Sequence, residues 1–221
     1  MTTTLAFDVY GTLIDPFGVS AKLSEYVGDK ASQFAQVWRD KQIEYLFRRG
    51  LMREYRDFST CTRQALIFTN ERLQTNLSAE AKDVLMSKYR LLPAYPAVLK
   101  ALQQLKAKNC RMYAFSNGQP DDLEHLLEHA GLSAHLDGIV SVHEVQSYKP
   151  DPAVYKHFLD STNAAASDTW LVSGNAFDII GAHAAGWQTA WLKRDPAAVF
   201  DPWDIEPTIT VVELVDLVDA L

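Results

Sequence analysis

The chain lacks several features that would place it at once. Only two of its 221 residues are cysteine. Cys61 and Cys110 stand apart, with no CxxC spacing and no nearby histidine pattern, which argues against a disulfide framework, a thiolate metal site or a cysteine nucleophile. No apolar run approaches the length of a membrane span. The opening Met1-Thr2-Thr3-Thr4-Leu5-Ala6-Phe7-Asp8 has no basic segment, long apolar stretch or cleavage pattern, so a cytoplasmic protein without a signal peptide is expected. Positive charge is in deficit, since 21 Lys and Arg against 28 Asp and Glu leave a formal net charge of -7. That balance argues against a general nucleic-acid surface, whose footprint would be clustered Lys and Arg. Neither nucleic acid nor membrane is an expected partner. Internal repeats and low-complexity segments are missing too, and no proline occurs from Val19 to Arg90.

What is present is apolar and periodic. A hydrophobic fraction of 48% supports a sizeable core. Short apolar runs of strand length recur at Leu5 to Phe7, Arg111 to Phe115, Gly138 to Val142, Thr169 to Val172 and Thr189 to Leu192. Helix-period segments lie between the later runs, at Ala97 to Ala107, Asp121 to Ala130 and Asp151 to Leu159, with Pro96 and Asp151-Pro152 as helix starts. This alternation predicts an α/β fold built on a doubly wound parallel sheet. Roughly a hundred residues separate the first two strands, far more than one crossover loop needs. Within them Phe34, Val37, Trp38, Ile43, Tyr45, Leu46 and Phe47 form a pattern expected of amphipathic helices. The expected organisation is a catalytic core of residues 1-15 and 94-221, interrupted by a helical cap of residues 16-93.

Four polar segments fall at predicted strand ends, the edge where open α/β sheets bind ligands. Phe7-Asp8-Val9-Tyr10-Gly11-Thr12-Leu13 places an acid where an apolar strand meets a Gly-containing turn. An ionised carboxylate there can attack carbon or phosphorus, although a turn-forming Asp looks the same locally. Met112-Tyr113-Ala114-Phe115-Ser116-Asn117-Gly118 ends in a hydroxyl, an amide and backbone N–H groups suited to a carboxylate, phosphate or halide. Ser147-Tyr148-Lys149-Pro150-Asp151-Pro152 fixes a lysine ahead of a Pro-restricted turn, as a cation beside a nucleophile and an anionic substrate. Trp170-Leu171-Val172-Ser173-Gly174-Asn175-Ala176-Phe177-Asp178 offers Ser173 and Asn175 as positioning groups and Asp178 as a base for water, or simply a capped helix start. Each segment alone is ambiguous. Their joint order is the signal.

That order, Asp-x-x-Gly-Thr-Leu, Ser-Asn-Gly, Lys-Pro and Ser-Gly-Asn-x-x-Asp, resembles the haloacid dehalogenase superfamily across nearly the whole chain. The resemblance implies a Rossmann-like core with a cap and Asp8 as nucleophile. Most members are magnesium-dependent phosphatases with a second Asp, two residues after the nucleophile, as general acid. Here that residue is Tyr10, whose phenol is a poor donor for the role. Phosphatases also complete a magnesium site with a Gly-Asp pair where this chain has Asn175, a neutral amide. Displacing halide from carbon needs neither, because halide leaves without a proton. With Trp38-Arg39-Asp40-Lys41-Gln42-Ile43-Glu44-Tyr45 in the cap, the sequence is similar to the L-2-haloacid dehalogenase branch.

Carried over residue by residue, the resemblance implies that Asp8 attacks C2 of a short (S)-2-haloalkanoic acid and forms an ester. Arg39, with Asn117, would hold the departing halide, and the Ser116 hydroxyl with backbone groups near Ser116 and Tyr10 would bind the substrate carboxylate. Lys149 would offset the charge of Asp8 and substrate, and Asp178 would help activate water for ester hydrolysis. Thr12, Tyr155, Ser173 and Asn175 match supporting positions. The products would be an (R)-2-hydroxyacid and halide, with no metal or other cofactor. Phe58 and Phe177 are candidates for an apolar wall around the alkyl group; many members have Trp at the Phe177 position. A homodimer is a further family implication. Two other functions fit the motifs, a small-molecule phosphatase with unusual ligands and a non-catalytic binding protein. The second is disfavoured because every polar position needed for catalysis is filled.

Overall fold

The computed structural model describes residues 2–221. Strands β1 (Thr4–Phe7), β2 (Arg111–Ser116), β3 (Gly138–Ser141), β4 (Thr169–Ser173), β5 (Gln188–Leu192) and β6 (Ile209–Val211) form one sheet in the order β3-β2-β1-β4-β5-β6. Every pairing is parallel. The five expected strands are present. β6 adds an edge that the apolar pattern did not signal, because it is only three residues long, Ile209, Thr210 and Val211.

Helices α1 (Ser20–Val27), α2 (Ala31–Met52), α3 (Phe58–Leu73) and α4 (Ala79–Tyr89) all fall between β1 and β2 and make the helical cap. Helices α5 (Val98–Lys106), α6 (Pro120–His129), α7 (Pro152–Thr162), α8 (Ala176–Ala184) and α9 (Leu217–Ala220) belong to the sheet layers. The strand order reverses direction at β1. Right-handed crossovers then put α5 and α6 on one face and α7 and α8 on the other, and α9 lies against α5. A strand covered on both faces should be continuously apolar. Leu5, Ala6 and Phe7 are accordingly fully buried, and Phe7 is aligned with Ala114 on one side and Val172 on the other. Asp8 is the next residue, so it emerges at the switch point of the sheet.

Pro96 does not open α5 as the sequence led us to expect. Ala97 adopts a left-handed conformation, φ 64°, and the helix begins only at Val98, which leaves Pro96 in the preceding turn. Pro152 does open α7, and the Asp151 carboxylate caps it by accepting from the Ala153 N–H at 2.9 Å. In the cap, the buried residues of α2 are Ala31, Phe34, Ala35, Trp38, Gln42 and Leu46, a helical stripe that packs on α3. Val37, Ile43, Tyr45 and Phe47 lie off that stripe and are only partly covered. Trp38 Nε1 ties the two helices by donating to the Thr62 carbonyl at 2.8 Å. Where the chain leaves and re-enters the core, Asp15 N–H donates to Pro93 O at 2.9 Å and Tyr95 N–H to Leu13 O at 3.0 Å.

Among the described residues no helix is long and apolar enough to cross a membrane. Both cysteines are free, and burial pushes both thiols up, away from the thiolate form that reacts. One glycine shows tertiary packing overriding local preference. Gly181 lies inside α8, where alanine is intrinsically better by about 1 kcal/mol. A Cβ there would fall 2.2 Å from the Tyr155 hydroxyl oxygen and 2.7 Å from Pro150 Cβ. Gly181→Ala is therefore expected to destabilise by about 1–3 kcal/mol, read as a lower urea midpoint; an unchanged or raised midpoint would contradict this packing account.

Candidate active site

The four polar segments converge; three lie at strand ends as expected, while residues 147–152 lie beyond β3, after a turn at Val142–Val145. Asp8 follows β1, Ser116 closes β2 with Asn117 just beyond it, and Ser173 closes β4 with Asn175 as the N-cap of α8. Lys149 comes from the loop before α7, and Asp178 from the first turn of α8. Asp8, at 7% exposure, sits in a shell of donors. Its Oδ2 accepts from Asn175 Nδ2 at 2.7 Å, Thr12 Oγ1 at 2.9 Å and Ser173 Oγ at 3.4 Å. Its Oδ1 accepts only from Lys149 Nζ, at 3.2 Å. One carboxylate oxygen is thus pinned, and the other keeps lone pairs for chemistry.

Lys149 is 1% exposed and its ammonium is saturated by three acceptors. Besides Asp8, Nζ donates to Asp178 Oδ2 at 2.7 Å and to the Phe115 carbonyl at 2.8 Å, over the Phe115 ring at 4.1 Å. Its own N–H donates to Asn117 Oδ1 at 3.0 Å, which leaves the Asn117 amide nitrogen for the cavity. Asp178 is completely buried, and its Oδ1 accepts from the Tyr155 hydroxyl at 2.9 Å. Burial raises the Asp178 carboxyl to about 6; Lys149 pulls it down and the nearby Asp8 charge pushes it up. Burial also holds Tyr155 well above the usual phenol range, so it remains a neutral donor.

Above this floor is a small cavity lined by Asp8, Tyr10, Arg39, Phe58, Ser116, Asn117, Asn175 and Phe177, together with Ile43, Leu46 and Phe47. Eight of the thirteen residues singled out from sequence therefore share one space. Thr12, Lys149, Tyr155, Ser173 and Asp178 lie behind it, bonded to Asp8 or to one another. Arg39 reaches over from α2, with Nη2 donating to the Tyr10 carbonyl at 3.0 Å and Nη1 to Gln42 Oε1 at 2.8 Å. Gln42 is completely buried and accepts from Tyr89 OH at 3.0 Å, so the guanidinium is aimed by a packed polar network. The Tyr10 ring stacks on Phe58 at 4.8 Å and Tyr89 at 5.8 Å. Burial, and then Tyr89, push its phenol far up. It is no proton donor to a leaving group.

Several contributors escaped the sequence reading. In the sequence Gln42 is only a neighbour of Arg39, and Ile43, Leu46 and Phe47 only belong to a helix-packing pattern. Arg194, after β5, donates from Nη1 to Gly11 O at 3.1 Å and from Nη2 to Thr12 O, and stacks on Tyr95 at 3.8 Å. It braces the loop after the nucleophile; a cation at a fifth strand end was the available signal. Gly174 brings the neighbouring loop close, because a Cβ there would lie 2.5 Å from Gly11 O.

A divalent cation does not fit this donor set. The cavity presents a single carboxylate, Asp8, whose Oδ2 is taken by three donors; Asn175 and Tyr10 offer a neutral amide and a phenol where a hard cation prefers charged oxygens, and the Lys149 ammonium already lies between Asp8 and the buried Asp178. Among the described residues no cluster of three or more His, Cys, Asp or Glu side chains could hold a metal.

The raised carboxyl of Asp178 has a consequence for stability. A carboxyl whose folded value of about 6 exceeds its ordinary 3.8 holds more protons folded than unfolded between those pH values. Its contribution is therefore greatest below pH 4 and is lost as pH rises through 6. Asp178→Asn is expected to remove that fall, which is on the order of 3 kcal/mol. Urea denaturation of both proteins from pH 4 to 7 measures the difference; parallel curves would refute it.

Comparison with known proteins accords with this geometry. Residues 2–186 match the family profile of haloacid dehalogenase-like hydrolases, and the chain belongs to that family. It is 34% identical over 216 residues to the (S)-2-haloacid dehalogenase of Pseudomonas sp. (strain YL), covering 95% of this chain and 93% of that one. It is 37% identical over 188 residues to (S)-2-haloacid dehalogenase 1 of Pseudomonas sp. (strain CBS-3), covering 85% and 83%. The L-2-haloacid dehalogenase of Xanthobacter autotrophicus, solved with chloropropionic acid covalently bound, superposes with a TM-score of 0.91 at 28% identity over 99% of this chain and 98% of that one.

Proposed function

We propose that this chain hydrolyses short (S)-2-haloalkanoic acids to (R)-2-hydroxyacids and halide without a metal, through an ester on Asp8. The observation that carries the proposal is an anionic carboxylate with one free-handed oxygen facing the same small cavity as the Arg39 guanidinium. In the first step Asp8 Oδ1 attacks C2 in line. The new C–O bond forms as the carbon–halogen bond breaks, and the electron pair leaves with the halide, which Arg39 and the Asn117 amide receive. The Ser116 hydroxyl and nearby N–H groups bind the substrate carboxylate, and Phe58 and Phe177 face its alkyl group. No proton is needed, in keeping with Tyr10 at the position where phosphatases hold an acid.

Esterification removes the charge from Asp8 and loosens its hold on Lys149. Water can then enter within reach of Asp178, give up its proton to that carboxylate and attack the ester carbonyl. As the intermediate collapses, the C–O bond to the substrate breaks, Asp178 returns its proton to the departing hydroxyl, the second water proton passes to solvent, and Asp8 returns as a carboxylate with one oxygen from water. Thr12, Ser173 and Asn175 steady Oδ2 throughout, and Tyr155 steadies Asp178. Asp178 must be ionised for this step; its carboxyl stands at about 6 while Asp8 is charged and moves lower once the ester removes that charge, so ester hydrolysis is expected to fall off only at a pH below about 6.

The core is proposed to comprise residues 1-15 and 94-221 and the cap residues 16-93, the backbone bonds of Asp15 with Pro93 and of Leu13 with Tyr95 marking the crossing. We place the protein in the cytoplasm as a homodimer without nucleic-acid or membrane partners. Exposed Met52 and Ile67 supply apolar surface for self-association, and light scattering tests it. For the reaction, halide release from (S)-2-chloropropanoate in the presence of EDTA is expected, with (R)-lactate as product. Folded protein that releases no halide, or needs magnesium and hydrolyses p-nitrophenyl phosphate instead, would overturn the proposal.

A further inference from the structure

The active cavity leaves only about 20 Å³ for the centre of a water-sized molecule, about what a single water occupies. A haloacid therefore enters only when a wall moves. Most walls are tied. Arg39 is bonded to Gln42 and the Tyr10 carbonyl, Asn175 to Asp8 and the same carbonyl, and Asn117 to the Lys149 backbone. The Tyr10 ring is held against Phe58 and Tyr89.

Phe47 of α2 and Phe177 of α8 are different. Both rings are partly covered, and they meet edge to face at 5.0 Å with an interplanar angle of 80°. The same two rings also line a second cavity of about 490 Å³, whose other walls include Leu51, Pro150, Ile180 and Trp203. They are the two residues common to both spaces. Another cleft, beyond Tyr10 and Phe58, is a poor bed for an alkyl chain because it is occupied by the ion pairs Arg63–Asp83 and Arg90–Asp122. Room for an apolar tail thus lies behind the Phe47–Phe177 pair.

We propose that Phe47 is a specificity-determining residue: it closes the reaction cavity against the apolar cleft and limits the length of the acyl chain, and the cleft is a dormant subsite for the tails of longer 2-haloacids. The proposal rests on the dehalogenase reading. Phe47 is the natural residue to truncate, since it stands on the cap helix, eight positions after Arg39. Phe177 lies between Asn175 and Asp178 on the helix that carries them. Once the Phe47 ring is removed, each methylene reaching the cleft leaves water for an apolar wall, so the gain should grow with chain length.

The test compares kcat/KM for (S)-2-bromopropanoate and (S)-2-bromooctanoate by bromide release in wild type, Phe47→Ala, Phe47→Leu and the double variant Phe47→Ala/Leu51→Trp. The octanoate-to-propanoate ratio is expected to rise about tenfold or more in Phe47→Ala, mainly through KM for the long substrate, and by a smaller factor in Phe47→Leu. It should fall back in the double variant, where an indole at Leu51, one of the residues lining the cleft, narrows it. If either single variant folds and leaves the ratio unchanged while wild type debrominates bromopropanoate, the length-filter proposal is overturned and the dehalogenase reading stands. A folded wild type that releases bromide from neither substrate overturns both.

Discussion

Asp8→Asn is expected to lower kcat by at least about 10⁴-fold, because the substitution removes both the anion and its placement. A neutral amide does not displace halide. Solvent water, the remaining nucleophile, forfeits an effective molarity of roughly 10⁵ M or more that a held carboxylate enjoys. The fold should survive, since Asn has the same shape. Its environment, however, consists of donors: Thr12, Ser173, Asn175 and Lys149 all point hydrogens at the carboxylate. The new NH₂ must face one of them, at about 1–3 kcal/mol. Asp178 responds in the opposite sense, because the Asp8 charge is one of the influences that raise it; in the variant it should titrate below 6. Rapid-quench halide release gives the decisive readout. A stoichiometric burst from folded Asp8→Asn would show that the attacking oxygen comes from elsewhere. For wild type, one turnover in heavy-oxygen water should label the Asp8 peptide rather than the product alone.

Lys149→Met is expected to damage stability as well as catalysis. It leaves Asp8 and the fully buried Asp178 facing each other with no cation between them, and it strands the Phe115 carbonyl. Removing one partner of a buried ion pair typically costs about 3–5 kcal/mol. The sign of the pH dependence follows. Without the Lys149 charge, which pulls Asp178 down, its carboxyl moves above about 6, and the folded variant retains a proton that the unfolded chain releases. The deficit relative to wild type should therefore be smallest near pH 5 and grow as pH rises toward 8. Turnover should fall by a factor of about 10² or more, because Asp8 and an anionic substrate then meet without a compensating charge. Urea midpoints at pH 5 and 8, with halide release at both, provide the check. A variant that loses stability equally at both pH values would show that Lys149 acts through packing alone.

Much of this was legible in the amino-acid order. The double winding followed from apolar runs of strand length alternating with helical periods, and the site from four polar segments, three of them at strand ends, since such ends share one edge of a parallel sheet. What escaped had physical causes. β6 is too short to show a pattern, and Pro96 missed its helix because the left-handed Ala97 intervenes. Gln42 and Phe47 carry no signature of what they do at the site, and Arg194 carries only its place after a strand. A glutamine on an aromatic helix, a phenylalanine off the buried stripe and an arginine in a loop acquire meaning only from what stands opposite them.

The division between the two levels of information is clear at Asp8. The sequence alone determined that an acid follows the first strand and, through its resemblance to the superfamily, that Tyr10 and Asn175 stand where the phosphatases carry carboxylates; residue type and order set charge, donor character and strand position. Only the tertiary structure decided that Oδ2 is held by three donors while Oδ1 meets Lys149 alone, that Asp178 titrates near 6, and that two phenylalanine rings stand between a water-sized cavity and an apolar cleft. Those are matters of distance, burial and facing surfaces, which arise when segments far apart in the chain are brought within a few ångströms of one another.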